Sequence, residues 1–171
     1  MAASYLVPTT TAAIAAEQLA ATDGGTANAG LIPALDANGR LTAAMMPSGF
    51  GADADTLVAS EAIAAGAYVN IYSNAGVATI RNAVASAVGF QAHGYVLTPV
   101  ASGASGVVMF DDNNTAVTGR TPGEQFLSAT TPGQTTTAPP SGQGVIRQFL
   151  GVAVSATTIH SNIQKPLILG Q

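Results

Sequence analysis

Beyond residue 56 the chain alternates apolar and polar residues in short runs, each ended by Gly, Pro, Asn or Ser. A period of two points alternate side chains to opposite faces of a strand. Residues 67–72 and 77–81 flank Ser73-Asn74-Ala75-Gly76, which predicts a β-hairpin with a Gly-containing turn. Residues 94–100 and 106–110 predict a second hairpin around 101–105, and 116–118 are expected to pair with 125–128 through 119–123. A long strand is expected over 145–154, with a bend or bulge at Gly151. A turn at 155–158 returns it through 159–163, and 166–169 supply a last short strand. Thr121-Pro122-Gly123 and Thr131-Pro132-Gly133 fit type II turns, in which proline presets the first central φ and glycine takes the positive one. The stretch 133–144 reads as an uncharged, exposed loop. Short strands at near-regular spacing indicate an all-β domain, a small β-barrel or sandwich over 57–171.

The first 56 residues follow another pattern. Large apolar side chains are widely spaced among Ala, Thr, Gly and Asn. Residues 12–21 contain good helix formers and no Gly or Pro, so one short helix is expected there, capped by Thr10 or Thr11. The run 22–30 is a connector by composition. This segment reads as a long, mostly extended N-terminal arm, because its apolar residues are too few to offset about 1–2 kcal/mol of backbone entropy per residue. Leu31, Ile32, Leu35, Leu41, Met45 and Met46 nevertheless cluster within sixteen residues, with Phe50 just beyond. A disordered tail is poor in such residues, so the cluster predicts an arm that becomes ordered on a partner. Fully extended, ~50 residues would reach on the order of 150 Å.

Composition narrows the function classes. Charged residues make up only 8% of the chain, far below the roughly 25% of an ordinary soluble domain. No run approaches the ~18 apolar residues of a spanning helix, so membrane partners are not expected. The five basic residues, Arg40, Arg81, Arg120, Arg147 and Lys165, are scattered in a chain of net charge −4. Nucleic-acid binding calls for a clustered basic face, and none is legible. There is no cysteine for disulfides or thiolate metal sites. The opening Met-Ala-Ala-Ser-Tyr lacks the basic and apolar regions of a secretory signal, so synthesis in the cytoplasm is the expectation.

No catalytic, metal or cofactor set emerges. His93 and His160 lack a neighbouring Ser, Asp or Glu at a familiar catalytic spacing and are expected to be structural. Residues 111–115, Asp-Asp-Asn-Asn-Thr, open like a calcium loop, but the sixth and twelfth positions are Ala116 and Pro122 instead of Gly and Glu. A solvated turn is expected there. Asp53, Asp55 and Glu61 mark an exposed linker, and no Gly-rich run has the lysine of a phosphate loop. The expectation is a protein that is not an enzyme.

Several segments carry a family resemblance. They are Leu35-Asp36-Ala37-Asn38-Gly39-Arg40-Leu41, then residues 46–53 (Met-Pro-Ser-Gly-Phe-Gly-Ala-Asp) and 59–71 (Ala-Ser-Glu-Ala-Ile-Ala-Ala-Gly-Ala-Tyr-Val-Asn-Ile). Residues 121–128 and 148–155, the latter containing Leu-Gly-Val-Ala-Val-Ser, complete the set. In this order they resemble tailed-bacteriophage head decoration, or capsid cement, proteins. The resemblance implies a barrel-like domain on the capsid exterior with an arm reaching over adjoining subunits. It implies the major capsid protein and neighbouring copies of the same chain as partners, a homotrimer ahead of a dimer. Rival readings are a tail-tip or tail-fibre component, for which no heptad segment is visible, and a glycan-binding module on the virion surface. The latter usually presents Trp or Tyr platforms, but the chain has no Trp and four Tyr.

Overall fold

A computed structural model of the protein describes the backbone of residues 4–8 and 15–21, and in full residues 32–35, 37, 39–42, 45 and 53–170. The chain divides into two units, Met1–Gly51 and Ala52–Gln171. In the first, β1 (Ser4–Pro8) pairs antiparallel with β2 (Ala15–Ala21), and β2 pairs parallel with β3 (Ile32–Pro33).

Three expectations change here. Residues 15–21 are strand, where a helix was expected over 12–21. An isolated helix of that length is marginal in water, and the ladder to Tyr5-Leu6-Val7 satisfies the same backbone groups in another way. The first strands also fold back on one another instead of running out as one extended arm. The unit boundary falls at Gly51/Ala52, so 53–56, assigned to the arm from sequence, belong with the barrel.

The second unit is built on a closed five-stranded barrel. Its members are β4 (Ala54–Ala59), β5 (Tyr68–Asn74), β6 (Val77–Asn82), β7 (Gly94–Val96) and β8 (Ser105–Met109), in the order β4-β6-β5-β7-β8. All pairs are antiparallel except β4 with β6. The β5–β6 hairpin closes in a two-residue turn with positive φ at both Ala75 (51°) and Gly76 (87°). That turn geometry matches the right-handed twist of the flanking strands. The second expected hairpin also forms, β7 with β8, although β7 stops at Val96 and Val100 makes only an isolated bridge to Ile63.

Beside the barrel lies a five-stranded sheet in the order β11 (Thr135–Thr136), β10 (Gly123–Leu127), β13 (Phe149–Ser155), β14 (Thr158–Ser161) and β9 (Asn113–Asn114). A small ribbon pairs β12 (Ile146–Arg147) with β15 (Leu167–Ile168). The β13–β14 return and the final short strand form as expected. The pairing of 116–118 with 125–128 does not: β10 pairs with β13 and β11. The preceding strand β9 pairs with β14 at the far edge of the sheet, separated from β10 by two strands. The fully buried Asn114 side chain anchors that end of the sheet, donating to the Gly66 carbonyl at 3.0 Å and accepting from the Ala116 N–H at 3.3 Å. Asn114 also departs from the solvated turn expected over 111–115.

The expected strand over 145–154 is broken at Gln148. The register between β10 and β13 shifts between Gln125 and Phe126, opposite Gly151 and Phe149, placing the irregularity next to Gly151 as expected. A Cβ at Gly151 would collide with the His160 carbonyl. Within 133–144, Thr135 and Pro140 are buried and Thr135–Thr136 is strand, so that segment is only partly the exposed loop expected.

The pleat sorts side chains into two cores. Val69 and Val96 enter the barrel with Ala59, Ile63, Ile80 and Val108, while their neighbours Tyr68 and Tyr95 project outward. There they meet Leu127, Leu150 and Ile159 of the second sheet. The barrel interior is narrow and filled by Ala, Val and Ile. Each fully buried large aliphatic side chain contributes about 1.5–3 kcal/mol.

Candidate functional site

Of the seven candidate arm residues, four are described. Ile32 lies in β3 and is half-buried, and Met45 is half-buried, its N–H donating to the Thr42 carbonyl at 3.0 Å. Leu35 and Leu41 are 57% and 45% exposed. Leu31, Met46 and Phe50 lie outside the described residues.

The two histidines have separate surroundings. The His93 backbone N–H donates to the Val69 carbonyl at 2.8 Å, and its Nδ1 accepts from the Ile71 N–H at 2.9 Å. The ring therefore replaces the backbone acceptor that β7 would have offered had it begun earlier. Accepting at Nδ1 fixes the neutral tautomer with its proton on Nε2. Burial holds the His93 pKa below its ordinary 6.5.

His93 lines a cleft of about 350 Å³, which is also lined by Phe110, Gln148, Gln164, Lys165 and Pro166. The Gln148 amide is fully used: its Nε2 donates to the carbonyls of Ala92 (2.8 Å) and Gln164 (2.9 Å), and its Oε1 accepts from Ala92 N–H (2.7 Å). Those bonds hold the cleft wall in place, and His93, Lys165, Gln91 and Gln164 are its other polar residues. His160 stands on the outer face of the second sheet, with Nδ1 3.1 Å from Asn113 Oδ1.

The acidic residues singled out from sequence are engaged locally. Glu61 Oε1 accepts from both the backbone N–H (2.7 Å) and the side-chain Nδ2 (2.8 Å) of Asn82. Asp55 Oδ1 accepts from the Thr56 N–H at 2.7 Å, and the Asp53 carbonyl takes the Phe110 N–H at 2.8 Å. Among the described residues no group of three or more His, Asp or Glu side chains gathers as a metal site would, and no helix is long and apolar enough to cross a membrane. Arg81 is occupied by packing: its guanidinium stacks 3.5 Å from the Phe90 ring centroid and 4.4 Å from that of Tyr72, and its Nε donates to Asn70 Oδ1.

Sequence reasoning passed over the outer face of the second sheet. Phe126 and Phe149 meet edge to face at 5.8 Å, and Val152 and Val154 continue the stripe, 40% and 61% exposed. The signal was present in the spacing of two between Glu124 and Phe126 and between Val152 and Val154, which puts each pair on one face. What it lacked was the pairing of β10 with β13 that joins the two.

Comparison of the chain with protein-family models, with curated proteins and with solved structures finds no match.

Proposed function

We propose that this chain is a structural protein of a tailed-phage particle, which binds the capsid exterior and stabilises it by bridging neighbouring capsid subunits. The observation that carries the reading is apolar side chains held in solvent by a chain with little charge. Leu35 and Leu41 in the first unit and Val77, Val154 and Leu167 in the second are all exposed. Each such side chain gains by burial against another protein. The resemblance of the segments around 35–53, 59–71 and 148–155 to decoration proteins supplies the partner, the major capsid protein.

Such a protein would work by contacting several subunits at once, so that modest contacts sum to firm retention. Binding the assembled shell and not its free subunits would stabilise the shell by mass action. The test is to purify particles assembled with and without this chain and compare their surfaces by electron microscopy. Extra density on the head exterior, with greater resistance of the filled head to heat, is expected. Density confined to the tail, or none, overturns the reading.

A further inference from the structure

Four register-paired residues form one row across the second sheet: Glu124 on β10, Val152 on β13, His160 on β14 and Asn113 on β9. Paired residues of adjacent antiparallel strands share a face, and Glu124, Val152 and His160 are all exposed. Adjacent strands lie about 4.8 Å apart, so Glu124 and His160 occupy the positions on either side of Val152. Phe126, Phe149 and Val154 extend the apolar centre along the strands. Asn113 holds the His160 ring through Nδ1, and Nε2 has no partner among the described residues.

This row is complementary to itself. When two such faces stack, about 10 Å apart, a two-fold axis running between them along β13 exchanges β10 and β14. Glu124 then stands opposite the partner's His160, His160 opposite the partner's Glu124, and Val152 against its own counterpart. An axis laid across the strands would instead set the two Glu124 carboxylates together, which disfavours that arrangement. The contact made by the favoured axis is isologous, as in closed two-fold dimers, and the faces would pack like the aligned sheets of a sandwich.

We infer that this sheet face joins two copies of the chain into a dimer, with Val152, Val154, Phe126 and Phe149 at its centre and Glu124–His160 pairs at both margins. A two-fold contact displaces the homotrimer expected from the family resemblance. The inference deepens the capsid-binding reading by assigning the face for the neighbouring copy. Its test uses the isolated full-length chain, so failure here leaves capsid binding untouched.

The experiment measures molar mass by sedimentation velocity and light scattering over a concentration series. The wild type is expected to dimerise, and Val152→Asp/Val154→Asp to remain monomeric with an unchanged circular dichroism spectrum. Glu124→Lys and His160→Glu each set like or mismatched charges across the contact and should weaken association by about tenfold or more. The double variant Glu124→Lys/His160→Glu restores opposite charges and should recover most of the loss. A monomer at every concentration, a trimer, a dimer indifferent to the aspartates, or a double variant no tighter than the singles would each overturn the inference. The charge reversals lie on the exposed margins, so they decide the matter even if the aspartate variant fails to fold.

Discussion

The Tyr68 hydroxyl lies 3.0 Å from the Ser161 hydroxyl, joining the outer wall of the barrel to strand β14 of the second sheet. Both residues are buried, and the Tyr68 ring packs against that of its register partner Tyr95 with centroids 5.8 Å apart. Tyr95 in turn donates its hydroxyl to the Asp111 carbonyl at 2.8 Å. Two neighbouring tyrosines thus carry the apolar contact and two polar ties between the barrel and the elements beside it.

Removing the Tyr68 hydroxyl should therefore cost less than removing the ring. Tyr68→Phe leaves Ser161 with an unmet hydroxyl and should lower unfolding free energy by about 1–3 kcal/mol. Tyr68→Ala also opens a cavity and should cost about 3–5 kcal/mol. Urea titration of both variants checks the order. Equal losses would mean that the ring contributes nothing beyond its hydroxyl.

Burial raises the pKa of Tyr68 and of Tyr95 above the ordinary 10.0. The fold thus favours the neutral phenols. Their contribution is fully present below pH 10 and is lost as pH rises above it toward the folded-state values. Absorbance at 295 nm should show these two tyrosines ionising late and together with unfolding. Ionisation of all four tyrosines near pH 10 with the fold intact would contradict the burial of the pair.

At the acid end His93 acts in the opposite sense. Its folded-state pKa is depressed, so its contribution is present above pH 6.5 and is lost as pH falls through the folded value. Protonation also removes the acceptor at Nδ1 that serves the Ile71 N–H. His93→Gln should be less stable than wild type at pH 7.5 and should lose less on going to pH 5. Parallel losses for the two proteins over that window would remove His93 from the account.

Glycines separate strained positions from free ones. Gly66 has φ +75°, and a Cβ there would lie 2.5 Å from the Ala116 carbonyl oxygen. Gly66→Ala should cost about 1–2 kcal/mol for the left-handed backbone and about 1–3 kcal/mol for overpacking. Gly76 has φ +87°, but a Cβ there would meet nothing within 4 Å. Gly76→Asn should be nearly neutral, because Asn tolerates that conformation. Thermal unfolding of both variants makes the comparison.

How legible the fold was depended on the range of the interactions that set it. The β5–β6 hairpin was readable because Asn74-Ala75-Gly76 carries its turn chemistry locally. The partner of β10 was not, because the sheet order is set by long-range pairing, with β9 going to β14 and buried Asn114 reaching Gly66, forty-eight positions away. The helix expected over 12–21 failed for the same reason: local propensity favoured it, and pairing with β1 decided otherwise. In the candidate site, the apolar character of Leu35 and Leu41 was legible, and their exposure was not. The His93 cleft needed the residues just before β7, Gln148 and the C-terminal segment to be brought together, which no spacing in the sequence announces.

If Leu35 and Leu41 bind the capsid through apolar burial, attachment should survive high salt. Each side chain would contribute roughly 1.5–3 kcal/mol when fully buried, before ordering costs. Ion pairing is the competing account, since Asp53 and Asp55 lie close by in sequence. At about 1 M salt the Debye length falls to about 3 Å, so an electrostatic attachment would be released while an apolar one would hold. The comparison is retention on purified particles at low and high salt for wild type, Leu35→Asp/Leu41→Asp and Asp53→Asn/Asp55→Asn. Loss is expected for the first variant at both salt concentrations, with wild type and the second variant retained. Loss confined to the second variant, or release of wild type by salt alone, would transfer the attachment to the carboxylates. Both leucines belong to the first unit, whereas Asp53 and Asp55 belong to the barrel unit. Deletion of residues 1–51 therefore gives an independent reading: it should abolish retention if the leucines anchor the chain and spare it if the barrel does.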